Sequence, residues 1–234
     1  MRIAIISDIH SNLEGLSKAL EIIDRKTVDD IICLGDIIGY GANPNECIEL
    51  IRKHCSVVLR GNHEDAIANP ELTMYFTENA RLAIEWTDKE LSIENKNYVC
   101  TLPLTWEKYG LFFVHSSPCN PERWEYIFSS YQALTAFECF KNPICFVGHT
   151  HVPALYFNKK TKDQKLSKDV RCIINVGSVG QPRDRNPKLS LGIFDVDTWN
   201  YENIRSEYDV QTAIEKILDT DLPPQLGHRL MFGV

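Results

Sequence analysis

Short apolar runs recur along this 234-residue chain, and five of them end in a polar cluster rich in histidine, aspartate and glycine. The runs are 2–7 (RIAIIS), 28–34 (VDDIICL), 56–60 (SVVLR), 111–115 (LFFVH) and 144–148 (ICFVG). They have the length of buried strands and are too short for buried helices. Helical patterns lie between them. Residues 12–25 carry Leu13, Leu16, Leu20 and Ile23 behind a capping candidate, Asn12, and 44–54 opens with Pro44 in its first turn. A longer stretch, 70–97, reads as helical with Leu82, Trp86 and Ile93 as core candidates, and a further helix falls near 130–140. Strands at 170–176, 189–196 and 202–208 and a helix at 209–219 complete the pattern; after Pro223-Pro224 no pattern is read. Strand–helix alternation early and consecutive strands late predict a layered α/β fold with a mixed sheet. The length suits a single domain spanning 1–234.

Bulk properties narrow the function classes. The net charge of −7 argues against duplex nucleic acid as a partner, because backbone binding needs a basic face. It leaves room for a small phosphorylated substrate, since bound cations reverse the local sign. No run approaches the roughly 18 apolar residues of a membrane span, so no membrane association is expected. The apolar N-terminus carries Arg2 and Asp8 and lacks a cleavage signature, which makes it a strand and not a signal peptide. The eight cysteines are scattered, without a CxxC pair, and several sit in apolar runs. Reduced thiols in a cytoplasmic protein are the expectation.

The polar clusters carry the chemistry. Asp8-Ile9-His10, Gly35-Asp36, Gly61-Asn62-His63-Glu64, His115 and Gly148-His149-Thr150-His151 each follow a predicted strand. Carboxyl ends of strands in an open α/β sheet converge on one crevice. Of seven histidines, only His54 and His228 fall outside these clusters. Neutral imidazoles and carboxylates are the donors that a divalent metal site needs. In Asp8-x-His10 and His149-x-His151 the two side chains share one side if the backbone is extended. Singly, none of these clusters is specific. Together, in this order, they leave little room for a purely structural reading.

The series D-x-H, GD, GNHE, H and G-H-x-H resembles the calcineurin-like metallophosphoesterase superfamily at every position. The stretches SDIHSNLEGL and NVGSVGQPRD are similar to its small single-domain bacterial and archaeal phosphodiesterases, and the likeness runs from Met1 to at least Asp197. It implies a two-sheet β-sandwich with helices on both outer faces. It also implies two divalent metals, one held by Asp8, His10, Asp36 and His151, the other by Asp36, Asn62, His115 and His149, with Asp36 bridging. Asn62 as a ligand comes from the resemblance alone. A hydroxide between the ions would attack phosphorus. Mn²⁺ heads the candidate metals, with Fe, Zn, Ni and Co also compatible with such donors. His63 is the implied catalytic residue, either stabilising the transition state or protonating the leaving oxygen. Asn12 and Arg183 are candidate phosphate contacts, Asn12 having the helix cap as its other reading. Tyr40 and Asn43 are candidates for the pocket wall.

One departure stands out. Protein phosphatases of the superfamily read GD-x-x-D-R-G, whereas this chain has Gly39 and Tyr40 in the last Asp and Arg places. Protein dephosphorylation by that machinery is therefore not expected, and Glu64 or Asp65 become the candidate partners of His63. The expected activity is cleavage of small phosphodiesters. Phosphomonoester or nucleotide-anhydride hydrolysis at the same site is the alternative, and a silent interaction module is disfavoured because every ligand position is filled.

Overall fold

The computed structural model describes residues 1–159 and 165–234. The elements are β1 (Arg2–Ile6), α1 (Leu13–Arg25), β2 (Asp30–Cys33), α2 (Pro44–His54), β3 (Val57–Val58), α3 (Asn62–Ala68), α4 (Glu78–Glu90), α5 (Ile93–Cys100), β4 (Thr105–Lys108) and β5 (Leu111–Val114). They continue with α6 (Ser130–Ala136), β6 (Ile144–Val147), β7 (Ala154–Phe157), β8 (Cys172–Asn175), β9 (Leu189–Asp195), β10 (Asn200–Ser206), α7 (Val210–Leu218) and α8 (Gln225–His228).

Two five-stranded sheets result, in the orders β10-β9-β1-β2-β3 and β4-β5-β6-β8-β7. Strands β1, β2 and β3 run parallel in one, and β5, β6 and β8 in the other, while β9 is antiparallel to β1 and β10, β4 to β5, and β7 to β8. The alternation of side chains along each strand assigns the layers. Ile3 and Ile5 point between the sheets and meet Phe113, Phe146 and Ile174 of the opposite sheet. Ala4 and Ile6 point outward onto Leu16, Ala19, Ile48 and Ile51 of α1 and α2. On the other outer face Val114, Cys145 and Val147 pack against Ala133 and Ala136 of α6. The expected sandwich with helices on both faces is what the chain forms. Phe146 stands at its centre, 5.4 Å from Phe113 and 5.7 Å from Phe194 between ring centroids. Truncating such a side chain to alanine costs about 3–5 kcal/mol.

Several local expectations are corrected. The stretch 70–97 is not one helix: it divides into a 3-10 turn at Pro70–Tyr75, α4 and α5, because Thr77 and Ser92 each cap a new helix with their side-chain oxygens. The core face of α4 is Ala80, Ala83, Ile84 and Thr87, with Leu82 and Trp86 only half-buried, and Ile93 is 80% exposed. Strands β4 and β7 were not foreseen, for their pattern of partly exposed side chains is that of sheet edges. The C-terminal segment is ordered: α8 and a 3-10 turn at Arg229–Met231 bury Leu226 and Leu230 against Ala213, Ile214 and Ile217 of α7. Cys119 and Cys139 are joined in a disulfide, their Cα atoms 5.3 Å apart, which corrects the expectation of eight reduced thiols. The other six remain free. Among the described residues no helix is long and apolar enough to cross a membrane.

Candidate metal centre

Because β1, β2 and β3 are parallel, as are β5 and β6, the segments that follow them emerge at the same ends of their sheets. There the chain does not stay extended. Asp8, His10 and Asp36 have φ of +55°, +49° and +50°, and His149 and His151 +65° and +60°. The expectation that Asp-x-His and His-x-His share a side on extended backbone is therefore wrong. Their side chains converge through left-handed turns, a conformation that non-glycine residues adopt at a cost of order 1–3 kcal/mol each. Cross-loop hydrogen bonds hold these turns. Asp8 N donates to Gly35 O (3.0 Å), His10 N to Asp36 O (2.9 Å) and Ser11 N to Ile37 O (2.7 Å). Gly180 N donates to Asp8 O at 2.9 Å.

The converged side chains form two overlapping groups. Donor atoms of Asp8, His10, Asp36 and His151 lie within 4.8 Å of one another, as do those of Asp36, His115 and His149; every member is buried. Asp36 Oδ2 stands 3.6 Å from His10 Nε2 and 3.3 Å from His115 Nε2, and Asp8 Oδ1 is 3.3 Å from His151 Nε2. The carboxylates are themselves oriented. His63 N donates to Asp36 Oδ1 at 3.0 Å, and His149 N to both oxygens of Asp8 at 3.2 and 3.0 Å.

Whether this set fits a metal is decided by its lone pairs. His10 Nδ1 is bonded to Ile38 O (3.0 Å) and His151 Nδ1 to Gln181 O (2.6 Å). A carbonyl accepts only, so both Nδ1 atoms carry the proton and both Nε2 atoms present lone pairs. Those two Nε2 atoms face each other at 3.2 Å. Two lone pairs at that distance repel unless a cation joins them. His149 donates Nε2–H to Trp124 O at 2.8 Å, which leaves its Nδ1 lone pair. The buried Asn62 Oδ1 and both ring nitrogens of His115 have no hydrogen-bond partner. Such orphaned donors around two carboxylates are what divalent cations would satisfy.

Electrostatics keep three of the four cluster histidines neutral. Burial drives His10 and His151 well below the ordinary histidine range, with the neighbouring His63 adding to the effect on His10 and Arg183 to that on His151. It holds His149 down to about 3, helped by His115. Burial opposes charge on His115 as well, but Asp36 and then Asp8 outweigh it and lift the ring to about 9. Asp8 rises to about 6 through burial.

His63 packs over this cluster, its ring centroid 4.7 Å from those of His10 and Tyr40 and 5.4 Å from Phe76. Neither candidate partner reaches it. Glu64 turns away and accepts four backbone N–H groups: Asp36 and Gly61 on Oε2 (both 2.8 Å), Ile37 and Ile38 on Oε1 (2.8 and 3.2 Å). Asp65 pairs with Arg60 at 3.2 Å and accepts from Asn69 at 2.9 Å. What lies beside His63 Nδ1 is Gly39, at φ +85°, where any Cβ would overlap the ring. A side chain at this place, such as the aspartate of the phosphatase motif, would overlap the imidazole as it stands here. Burial then lowers His63 to about 4, with Arg183 and His115 reinforcing it against Asp36.

Of the two readings of Asn12, its bonds support the helix cap. Its Oδ1 accepts from Gly15 N (2.9 Å), capping α1, and its Nδ2 donates to Gly180 O (2.8 Å) and the Tyr208 hydroxyl (3.1 Å). Asn43 opens α2 without a side-chain cap and donates its Nδ2 to Glu46 Oε1 at 3.0 Å. Arg183, by contrast, lines a cleft of about 790 Å³ together with Asn62, His63, His149 and Tyr40. Its guanidinium carbon stands 5.7 Å from the Tyr40 ring centroid. The position that is arginine in the phosphatase motif is here the ring against which a distant arginine rests. Trp124, Tyr126 and Arg229 on the same cleft were not singled out in the sequence. They belong to irregular segments that carry no periodic signal.

The comparisons with known proteins agree with this geometry. Residues 1–199 match the calcineurin-like phosphoesterase superfamily domain. An uncharacterized protein of Methanocaldococcus jannaschii is 42% identical over 241 residues, covering 99% of this chain and 98% of its own. The crystal structure of a metallophosphoesterase from Sphaerobacter thermophilus superposes with a TM-score of 0.87 at 38% identity, covering 100% of both chains. A hypothetical protein from Pyrococcus horikoshii shares the fold, with a TM-score of 0.84 at 21% identity, covering 100% of this chain and 98% of its own. A domain match over residues 1–199, joined to a buried histidine–aspartate cluster suited to metal, shows that the chain belongs to the calcineurin-like phosphoesterase superfamily.

Proposed function

We propose that this protein hydrolyses small phosphodiesters at a site for two divalent cations. The observation that supports the reading most is the pair of overlapping donor groups that share Asp36. In this reading Asp8, His10, Asp36 and His151 hold one ion, and Asp36, Asn62, His115 and His149 hold the other. Such a pair, when bound, supplies a nucleophile from water near neutral pH and neutralises charge on the phosphoryl oxygens. Manganese is the expected metal.

The protein's own groups do the rest. Asp36 is fixed by the His63 amide and Asp8 by the His149 amide, so neither carboxylate must reorganise when substrate arrives. Glu64 clamps the loop of Asp36 to that of Asn62, which sets the distance between donors on different strands. His63 lines the cleft as a neutral ring and offers an N–H to a phosphoryl or leaving oxygen; an anion beside it favours its protonation. Arg183 adds a cation at the mouth.

The test is hydrolysis of bis(4-nitrophenyl) phosphate and 4-nitrophenyl phosphate, with Mn²⁺ and with chelator. Chelator-sensitive cleavage of the diester in excess of the monoester is expected. Monoester preference would replace the diesterase reading with a phosphatase one, and no cleavage by folded, metal-supplemented protein would end both.

A further inference from the structure

The cleft extends beyond the buried cluster, and Arg183 and Arg229 both line its outer wall. Arg183 spends Nε and Nη2 on one neutral acceptor, Gln181 Oε1, at 3.2 and 2.7 Å. Arg229, half-buried, donates Nε to a terminal oxygen of Val234, the last residue of the sequence. Among the described residues Arg183 forms no ion pair with a carboxylate, although Glu122 and Glu125 sit exposed on the same rim. Arg205 shows what a structural arginine does here: it grips Asp184 at 2.6 and 3.1 Å and the carbonyls of Asn186 and Lys188 at 3.0 and 2.7 Å. That grip fixes the loop that carries Arg183. The tail that carries Arg229 is then locked to the same loop by the Arg185 N–H on Gly233 O at 2.8 Å. Two separate segments are thus held in place so that two guanidiniums face one cleft, and the one without a carboxylate, Arg183, gains most when an anion joins it. Burial and the Arg183 charge lower the Arg229 pKa accordingly.

The rest of that wall is planar. Tyr126 lies flat on His149, with ring centroids 4.0 Å apart and planes 15° apart. Trp124 presents an enclosed indole N–H without a partner, and Tyr75 is 84% exposed. Aromatic faces of this kind stack bases at little cost in sequence preference.

We propose that Arg183 and Arg229 form a second anion subsite, so that the substrate is a nucleotide-type phosphodiester carrying a further phosphate besides the one that is cleaved. The proposal rests on the phosphodiesterase reading above. It makes Arg229, from the C-terminal tail, a specificity-determining residue. A guanidinium meets a phosphate through two parallel N–H donors, and both arginines keep donors free for this.

The experiment compares two probes with one leaving group: thymidine 5′-(4-nitrophenyl phosphate) and the same compound bearing a 3′-phosphate, both with Mn²⁺. The expected kcat/KM is at least about tenfold higher for the 3′-phosphorylated probe. Arg229→Gln should bring that ratio to near one, and Arg229→Lys should hold it in between, with melting curves to verify that the tail stays docked. Should Arg229→Gln misfold, the lysine variant alone decides, because a ratio equal to wild type in it overturns the bidentate role. A ratio near one in the wild-type protein, or a ratio unchanged in folded Arg229→Gln, overturns the proposal while leaving the diesterase reading intact. Cleavage of neither probe nor of bis(4-nitrophenyl) phosphate overturns the diesterase reading instead.

Discussion

The floor of the cleft and its rim are built on opposite terms. On the floor almost every polar atom is spoken for. Glu64 absorbs four backbone amides, the carboxylates of Asp8 and Asp36 receive backbone N–H groups, and His10, His149 and His151 each give one ring nitrogen to a carbonyl. The atoms left over include the facing Nε2 pair of His10 and His151, Asn62 Oδ1 and both ring nitrogens of His115. On the rim the arginines and rings have few partners, and Tyr75 and Tyr126 are exposed. A site that holds cations needs donors fixed in advance, with strain in the turns offset by hydrogen bonds around them. A surface that admits a substrate keeps its bonds unspent until the substrate comes.

That contrast can be broken by substitution, and the floor should yield the larger effects. Asp36→Asn removes the carboxylate common to both donor groups, so turnover should fall on the order of 10⁴-fold along with metal content. A fully metallated, active variant would refute the shared role. Glu64→Ala leaves four buried amides without an acceptor, and denaturant titration should show a loss of about 4 kcal/mol. A loss under about 1 kcal/mol would mean that the loops do not depend on the clamp. His63→Ala should cost about 10²–10³ in kcat with metal content near wild type, since its ring nitrogens join neither donor group. Metal loss in that variant would make His63 a ligand.

The smallest effect is that of pH on the metal-free protein. Burial holds His63 at about 4 and His149 at about 3, below the 6.5 of a free histidine. In the unfolded chain these rings bind protons first, so the stability that they represent is complete above about 6.5 and drains as pH falls toward 4. His115, raised to about 9, works the other way: its contribution is whole below about 6.5 and is lost as pH rises through about 9. Asp8 and Glu64, raised to about 6 and about 7, also work against the histidine loss over this interval. The four depressed histidines outnumber them, so the denaturation midpoint should drop between pH 7 and pH 5. A midpoint that rises over that interval would contradict the burial of neutral histidines.

The floor was legible in the sequence because each of its polar clusters follows an apolar strand, and parallel strands deliver their ends to one place. The left-handed turns were not legible. Asp8 and His10 are neither glycine nor asparagine, and cross-loop bonds, among them those to Gly35, Asp36 and Gly180, hold them at positive φ. Glu64 was misread for a related reason: its neighbour His63 suggested a side-chain partner, while its real partners are amides from another loop. Asn12 was weighed between cap and ligand and proved to be a cap with two further bonds. The rim left least trace. Arg229 follows two prolines in a segment without periodicity, and its place in the cleft depends on tail docking that only the fold reveals.

The central claim is that seven residues from five segments hold two cations, with Asp36 between them. Anomalous diffraction from crystals grown with Mn²⁺ tests it directly. The account predicts two peaks about 3.5–4 Å apart with the Asp36 carboxylate touching both. A single peak, or two that Asp36 does not join, would contradict it.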